Sequence, residues 1–549
     1  MVDQTLPGVK KIELIQLFRT RWELYLIFAG VISTTASILR SVLYPIFSRL
    51  SDLLGRNEIY SFSFVFHVIS YVILATAQNF DAILGGRVVS TVGEVGLTIM
   101  GLSLVGDVTN KSNRGFIHGL YQIPLLINYF VSPLVAEELA EKRNEWRWAF
   151  GHLPLVLLVC ELPFLIVAWK VQLRVQKSQT WIDYKQERHT IENQQQKNDG
   201  LYKTLKKYLE AIDIVGSVLM AGALTMTLLP FILATAWGGW KTAKTLGTFL
   251  GGAVTWMLLT IWEWKFATQP LVPAHHWSSA TPIYGAIGAA WISLVSSINW
   301  MHFHPFLQVT RKATITRSTY IRNGYRAAYT FVQPFVGLLM MKTKKWRPYL
   351  WIGMSLFILG VGLMIIARQP HQSDGFVVVT QIISGAGAGI MDNVIITAIQ
   401  SAVPHNDLAM VTALFSFTGS IGGSIGSTIA GAIWNGILPG ELVANVPGEF
   451  SVEKAAGNYL YTWKLPDEQY DGVVTAYGNA QKLISIISIC LTVVAIGFLA
   501  LMRDFGLNED NDQEQQKQEM TEETTNDNDK VKEKTIDVMV INNVNYQQS

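Results

Sequence analysis

The chain has 549 residues, half of them apolar and only 15% charged, with a formal net charge of +2 and a mean hydropathy of +0.27. Soluble domains carry about a quarter charged residues, so the deficit points to lipid as the solvent for most of the chain. So small a net charge gives no case for nucleic acid. The two cysteines, Cys160 and Cys490, lie inside apolar runs and supply neither a disulfide framework nor a metal site.

In chain order, residues 1–21 carry Lys10, Lys11, Arg19 and Arg21 with no cleavable-looking apolar core before Trp22, which reads as a cytoplasmic tail rather than a signal peptide. About thirteen runs then follow that are long enough to cross a bilayer: near 22–48, 61–78, 82–106, 116–136, 148–170, 211–237, 246–264, 281–305, 322–341, 349–367, 377–403, 408–437 and 481–502. The predicted fold class is an all-α polytopic membrane protein with two helical bundles.

Residues 172–209 contain Arg174, Lys177, Lys185, Arg188, Lys197, Lys203, Lys206 and Lys207, the signature of a cytoplasmic linker. The linker separates a first bundle over 22–171 from the remaining spans over 210–502. Crossing parity also places the basic loop Lys342-Thr343-Lys344-Lys345-Trp346-Arg347 inside. It fails at one place. A single run, 22–48, joins two segments that should both be cytoplasmic, so either the N-terminus lies outside or this run is the remnant of two helices. Arg40, within the run, favours the remnant. A long external loop is predicted over 438–480, carrying Tyr459, Tyr461, Trp463, Tyr470 and Tyr477. The polar tail over 503–549 has too little apolar surface to fold.

The turn Arg49-Leu50-Ser51-Asp52-Leu53-Leu54-Gly55-Arg56 sits where two runs meet water. There Asp52 caps and pairs, Gly55 permits a tight turn and Arg56 fixes a cytoplasmic charge. Asp107 and Arg114 flank the next cytoplasmic loop and read as gate or topology residues. Charges inside spans are costly and therefore functional candidates. Arg87 and Glu94 lie seven apart on one helix face, suited either to a proton-coupling cavity or to a structural pair that fixes packing. Glu161 and Asp392 lie deep in apolar runs, and Asp392 follows Gly385, Gly387 and Gly389, which allow close helix approach. Gly419, Gly422, Gly423 and Gly426 read as a tight helix crossing. His275, His276, His302 and His304 read as surface or packing residues, because the spacing of His302 and His304 puts them on different helix faces.

The turn from Ser51 to Arg56 is similar to the loop between the second and third helices of the major facilitator superfamily, with Ser48 where that pattern has its first glycine. Joined by Gly8 to Glu13, Gly86 to Gly96, Trp146 to Gly151 and Gly431 to Trp434, it resembles the fungal siderophore-iron transporters of that superfamily, which normally have fourteen helices. The resemblance implies a shortened first helix here and proton-driven uptake of ferric hydroxamate chelates. Tyr477 in the external loop is the implied substrate contact. Arg87, Glu94 and Asp392 then serve substrate binding or proton coupling, and Asp52, Gly55, Arg56, Asp107 and Arg114 form the gating motif. Asn393 departs from the family, which tends to an aromatic residue there. The implied partners are a ferric siderophore, protons and the bilayer, for a monomer in the plasma membrane or an endosomal or vacuolar one. No cofactor is implied, because the iron arrives already chelated. The same family includes glutathione–proton exchangers, and the shortened helix also suits a sensor that binds without transporting. No nucleophile–base or phosphate-loop motif indicates an enzyme.

Overall fold

The computed structural model describes residues 22–143, 145–178, 213–233, 237, 239, 241–267, 279–370, 372–404 and 407–507, with side chains of the first helix described from Ala36 onward. Among these residues all regular structure is helical: α1 (Trp22–Leu54), α2 (Arg56–Thr76), α3 (Phe80–Val108), α4 (Lys111–Ala136), a π-helical turn (Glu137–Lys142), α5 (Trp146–Gly151), α6 (Leu153–Gln176), α7 (Ile214–Leu233), α8 (Ala243–Lys265), α9 (Thr281–Met301), α10 (Phe303–Arg311), α11 (Ile315–Thr343), α12 (Arg347–Ala367), α13 (Asp374–Ser401), α14 (Leu408–Asn445), α15 (Val452–Gly457), α16 (Tyr459–Thr462) and α17 (Asp467–Ala500). Thirteen of these have 20 residues or more and correspond one for one with the runs read from the sequence. Among the described residues eleven helices are long and apolar enough to cross a membrane, and the protein is an integral membrane protein. Helices are the only open-chain structure that satisfies every backbone group within lipid.

The helices alternate in direction between two ends, here called the linker end, where α6 stops and α7 starts, and the far end. Helices α1 to α6 form one bundle and α9 to α17 the other, with α7 packed on α8 and set against α1 and α14. The bundles meet along two seams, α4 on α11 and α1 on α14. The largest core lies in the second bundle, where Phe303, Phe306, Trp346, Phe357, Met364 and Tyr477 are almost fully buried. Residues 22–54 form one continuous helix, so the run read as a remnant of two helices makes a single crossing. The expected loop over 438–480 is much shorter. Helix α14 continues to Asn445 and α17 begins at Asp467, leaving 446–466 with two short helices as the connection. The tails 1–21 and 508–549 and the linker 179–212 lie outside the described residues.

Lipid offers helices no hydrophobic reason to associate, so packing depends on close approach at small residues. The glycine series in α14 meets that need against α9: a Cβ at Gly422 would lie 2.0 Å from the Ala290 carbonyl oxygen, and one at Gly426 would lie 2.3 Å from that of Leu294. The glycines preceding Asp392 act likewise, with Gly385 and Gly389 against α11 and Gly387 against α12.

At the far end, Arg368 follows α12 and is fully buried. Its Nη1 donates to the Asn299 carbonyl at 2.8 Å, and its guanidinium faces the rings of Trp300 and Phe303 at 5.4 and 4.3 Å. Burial pulls the pKa of this guanidinium down to about 9, while the carbonyls at the end of α9 and the two π-faces favour the cation. Replacement of Gly422 by Ala should push α9 from α14 and cost about 1–3 kcal/mol. Gly436→Ala, whose Cβ meets open space, is the control, and the check is the thermal melt of detergent-purified protein, where only the first variant should fall.

Candidate functional site

The linker end of the first bundle is organised by the turn between α1 and α2. Gly55 has φ 113° and ψ 151°, a conformation costly for any residue with a Cβ. Its N–H donates to the Ser51 carbonyl at 3.1 Å. The reversal aims Arg56 back, so that Nη1 lies 2.8 Å from Asp52 Oδ1 and Nε lies 3.1 Å from Asp107 Oδ2, with Nη1 also donating to Ser51 Oγ. One guanidinium thus ties α1, α2 and α3 together. The structure brings four of the five predicted gating residues into one cluster.

The fifth, Arg114, does something different. It is buried and donates through Nη1 to the Gln400 carbonyl at 2.9 Å and through Nη2 to the Gly106 carbonyl at 3.1 Å. A cation is well placed among the carbonyls that end α3 and α13. Because Gln400 belongs to the second bundle, this contact crosses the seam. Two neighbours repeat the crossing: His118 Nε2 lies 3.0 Å from Gln400 Oε1, and Asn393 Nδ2 donates to the Gly115 carbonyl at 3.0 Å and the Gln333 carbonyl at 2.9 Å. A Cβ at Gly337 would lie 2.4 Å from the Gly115 carbonyl oxygen, so α4 and α11 touch backbone to backbone here. The linker end of this seam is closed. Asn393 is one of the residues that close it.

Midway along the first bundle, Glu94 does not pair with Arg87. Its partner is Arg40 of α1, whose Nη2 lies 3.0 Å from both carboxylate oxygens. Arg87 is exposed, nearly two turns toward the far end. Ser41, beside Arg40, donates to Ser420 Oγ of α14 at 3.0 Å, so the helix that carries the ion pair also forms a seam. His67 of α2 lies at the same level, its backbone 2.6 Å from where a Cβ on Gly93 would be, and its ring meets Tyr71 edge-on at 4.9 Å. Glu161 of α6 accepts a hydrogen bond from Tyr60 of α2. Asp392 is partly buried in the second bundle and is hydrogen-bonded by the phenol of Tyr329.

Tyr477 is only 2% exposed. Its hydroxyl donates to the carbonyls of Ala455 and Ala456, both at 3.0 Å, and its ring stands edge-on to Trp434. His302 stacks flat on the same Trp434 at 4.6 Å, a packing role as its spacing suggested. Trp463 Nε1 and Tyr470 Oη donate to the Gln308 and Val309 carbonyls of α10, at 2.9 and 2.8 Å. The aromatic residues of the connection therefore pin it to the second bundle.

Sequence reading passed over α11. It spans membrane length yet is not among the eleven apolar helices, because it carries Arg317, Arg322, Arg326, Asn323 and Gln333. Phe331, Phe335 and Leu339 are exposed along one side. Arg322 precedes Phe331 by nine residues, about two and a half turns, so Arg322, Arg326 and Tyr329 occupy the opposite, inward side. Two arginines one turn apart in a span were the available signal.

A sequence model of the Major Facilitator Superfamily matches residues 23–427. The chain belongs to this superfamily. It is 28% identical to siderophore iron transporter 1 of Schizosaccharomyces pombe, over 86% of this chain and 75% of that one. It is 25% identical to MFS siderochrome iron transporter 1 of Ajellomyces capsulatus, over 88% and 82%. Among solved structures, the proton:xylose symporter XylE gives a TM-score of 0.49 at 12% identity, covering 88% of this chain and 87% of that one. Proteins of the major facilitator superfamily are transporters, in which one bundle rocks against the other.

Arg114→Ala should open the linker end of the seam. In a chain with Cys160 and Cys490 replaced by Ser, maleimide labelling of Thr397→Cys, a buried position, should rise about tenfold, equivalent to about 1.4 kcal/mol. Arg143→Ala, which removes an exposed pair, should leave the rate unchanged. Tyr477→Phe keeps the ring and deletes both hydrogen bonds. It should cost about 1–3 kcal/mol, read as a lower melting temperature with faster protease nicking between 446 and 466.

Proposed function

We propose that this major facilitator imports ferric siderophore chelates of the hydroxamate type, as a monomer, with proton movement through Glu94 driving uptake. The reading is carried by one observation: similarity along most of the chain to transporters named for siderophore iron. The basic linker and the basic loop between α11 and α12 put the linker end in the cytoplasm. Asp52, Gly55, Arg56, Asp107 and Arg114 are then the gating motif, the first four bracing the first bundle at its inner end and Arg114 reaching the second bundle there. The ferric chelate enters from the far end. Its iron keeps its own ligands, so recognition needs aromatic faces and a few polar groups rather than metal donors.

Glu94 is the coupling group. While ionised it holds Arg40 across α1 and α3 in a region where either charge alone is expensive. Protonation removes the attraction and frees Arg40. Because α1 also forms the seam with α14, that release reaches the contact between the bundles. Arg87, nearly two turns toward the far end on the same helix, serves substrate binding or proton coupling beside Glu94. Asp392, beside Tyr329, is the acid of the second bundle and contributes to substrate binding or coupling, while Tyr477 shapes the outer mouth by holding the connection over it.

Proteoliposomes with an acidic exterior should accumulate a ferric hydroxamate chelate, and collapse of the pH gradient should end accumulation. Glu94→Gln should abolish gradient-driven accumulation while retaining exchange of labelled for unlabelled chelate. Absence of uptake and exchange for every ferric chelate tried would sink the reading.

A further inference from the structure

The inward side of α11 carries two guanidinium groups that no carboxylate answers. Arg322 and Arg326 lie one turn apart, and among the described residues neither forms an ion pair. Arg322 Nε is buried without a hydrogen-bond partner. Arg326 is exposed although it lies on the side of α11 turned away from Phe331 and Phe335. Its guanidinium lies 5.9 Å from the ring of Tyr129, on α4 of the first bundle. Around the pair stand more donors and aromatic faces. His304 of α10 lies near Arg322, and its Nδ1 and Trp300 Nε1 are buried without partners. Trp300 packs on Tyr325 at 4.0 Å, and Tyr325 stacks with Tyr329 at 6.3 Å. Asp392, on the adjacent helix, is engaged by the phenol of Tyr329.

An arginine within a span is costly, roughly 2.5–3.5 kcal/mol at its centre on the mildest insertion scales and less toward its ends. Two adjacent ones, with unanswered donors and a wall of aromatic rings, form a site lacking its anion. We propose that Arg322 and Arg326 bind an anionic oxygen group on the transported ligand, so that the substrate is a chelate bearing at least one free carboxylate. Trp300, Tyr325, Tyr329 and Tyr129 provide the faces against which its body lies. Guanidinium suits this role because it meets a carboxylate with paired, charge-assisted hydrogen bonds. A ferric tris-hydroxamate core is itself neutral, so the charge that is read belongs to the periphery of the chelate.

This inference rests on the transport reading but has its own test. Two ferric tris-hydroxamates identical except for one peripheral group, a free carboxylate or its methyl ester, are supplied to the full chain in proteoliposomes. The acid should show a KM about tenfold below that of the ester, the scale of one charge-assisted hydrogen bond. Arg322→Gln and Arg326→Gln should each bring the ratio of the two KM values toward one, while Arg326→Lys keeps part of it. Equal KM values in the unaltered chain, or a preference that survives both glutamine variants, would overturn the assignment. If neither chelate moves, the transport reading fails and the site is read by binding. Quenching of tryptophan fluorescence in purified protein by the gallium forms should then favour acid over ester, and do so only with both arginines present; equal binding, or none, would overturn it.

Discussion

Close approach of helices in a solvent that does not drive them together is the constraint on which the structure depends. In water an apolar stripe suffices to join two helices, whereas in lipid the gain must come from contact area and from bonds between polar groups. The chain meets this at Gly422 and Gly426 under α9, at Gly385 and Gly389 under α11, and at the Gly115–Gly337 contact. The first two sets lie within the second bundle and fix its shape. The last crosses the seam, where α4 and α11 meet backbone to backbone.

That seam is held by polar contacts which differ along its length. At the linker end Arg114 and His118 reach across to Gln400, and Asn393 of α13 reaches back to the Gly115 carbonyl. Toward the far end, Asn323 Nδ2 donates to the Tyr129 carbonyl at 2.8 Å and Tyr320 Oη to that of Phe130 at 3.1 Å. None of these bonds joins two charged groups. Neutral or half-charged bonds of about 1 kcal/mol each can be broken in sequence without a large barrier. The fully ionic contacts at Asp52, Arg56 and Asp107 instead lie inside one bundle, which moves as a body.

The spans were legible because each needs about 20 apolar residues, a signal no other constraint imitates. The glycine crossings were legible for a related reason: their four-residue spacing is local. Glu94 shows where this stops. Its spacing from Arg87 put both on one face of α3, but the cation that reaches it comes from α1, and depth in the membrane is shared between helices without leaving any sequence spacing. Arg40 was noticed only as evidence about topology. The loop expected over 438–480 failed differently. Glu441 and Asn445 look like loop residues, yet Asn445 Nδ2 donates to the Glu441 carbonyl at 2.8 Å within the last turn of α14, so polarity marked the exit from lipid rather than the end of the helix. Helix α11 was counted as one more span because its apolar residues sufficed, and the meaning of its arginines required knowing which side faced lipid.

The arginines divide by what neutralises them. Arg40 and Arg56 have carboxylates. Arg114 and Arg368 have helix-end carbonyls, and Arg368 has two aromatic faces besides. Arg311 and Arg317 share Asp374 at the far end. Each solution is built from the chain itself and is therefore permanent on the scale of packing. Arg322 has none of these and Arg326 only the ring of Tyr129 at 5.9 Å, though Asp392 sits on the adjacent helix. Keeping that acid against tyrosines leaves the positive charge uncommitted, and a transport site must remain uncommitted, since a cation satisfied by the protein has little left to offer a ligand that must bind on one side and leave on the other.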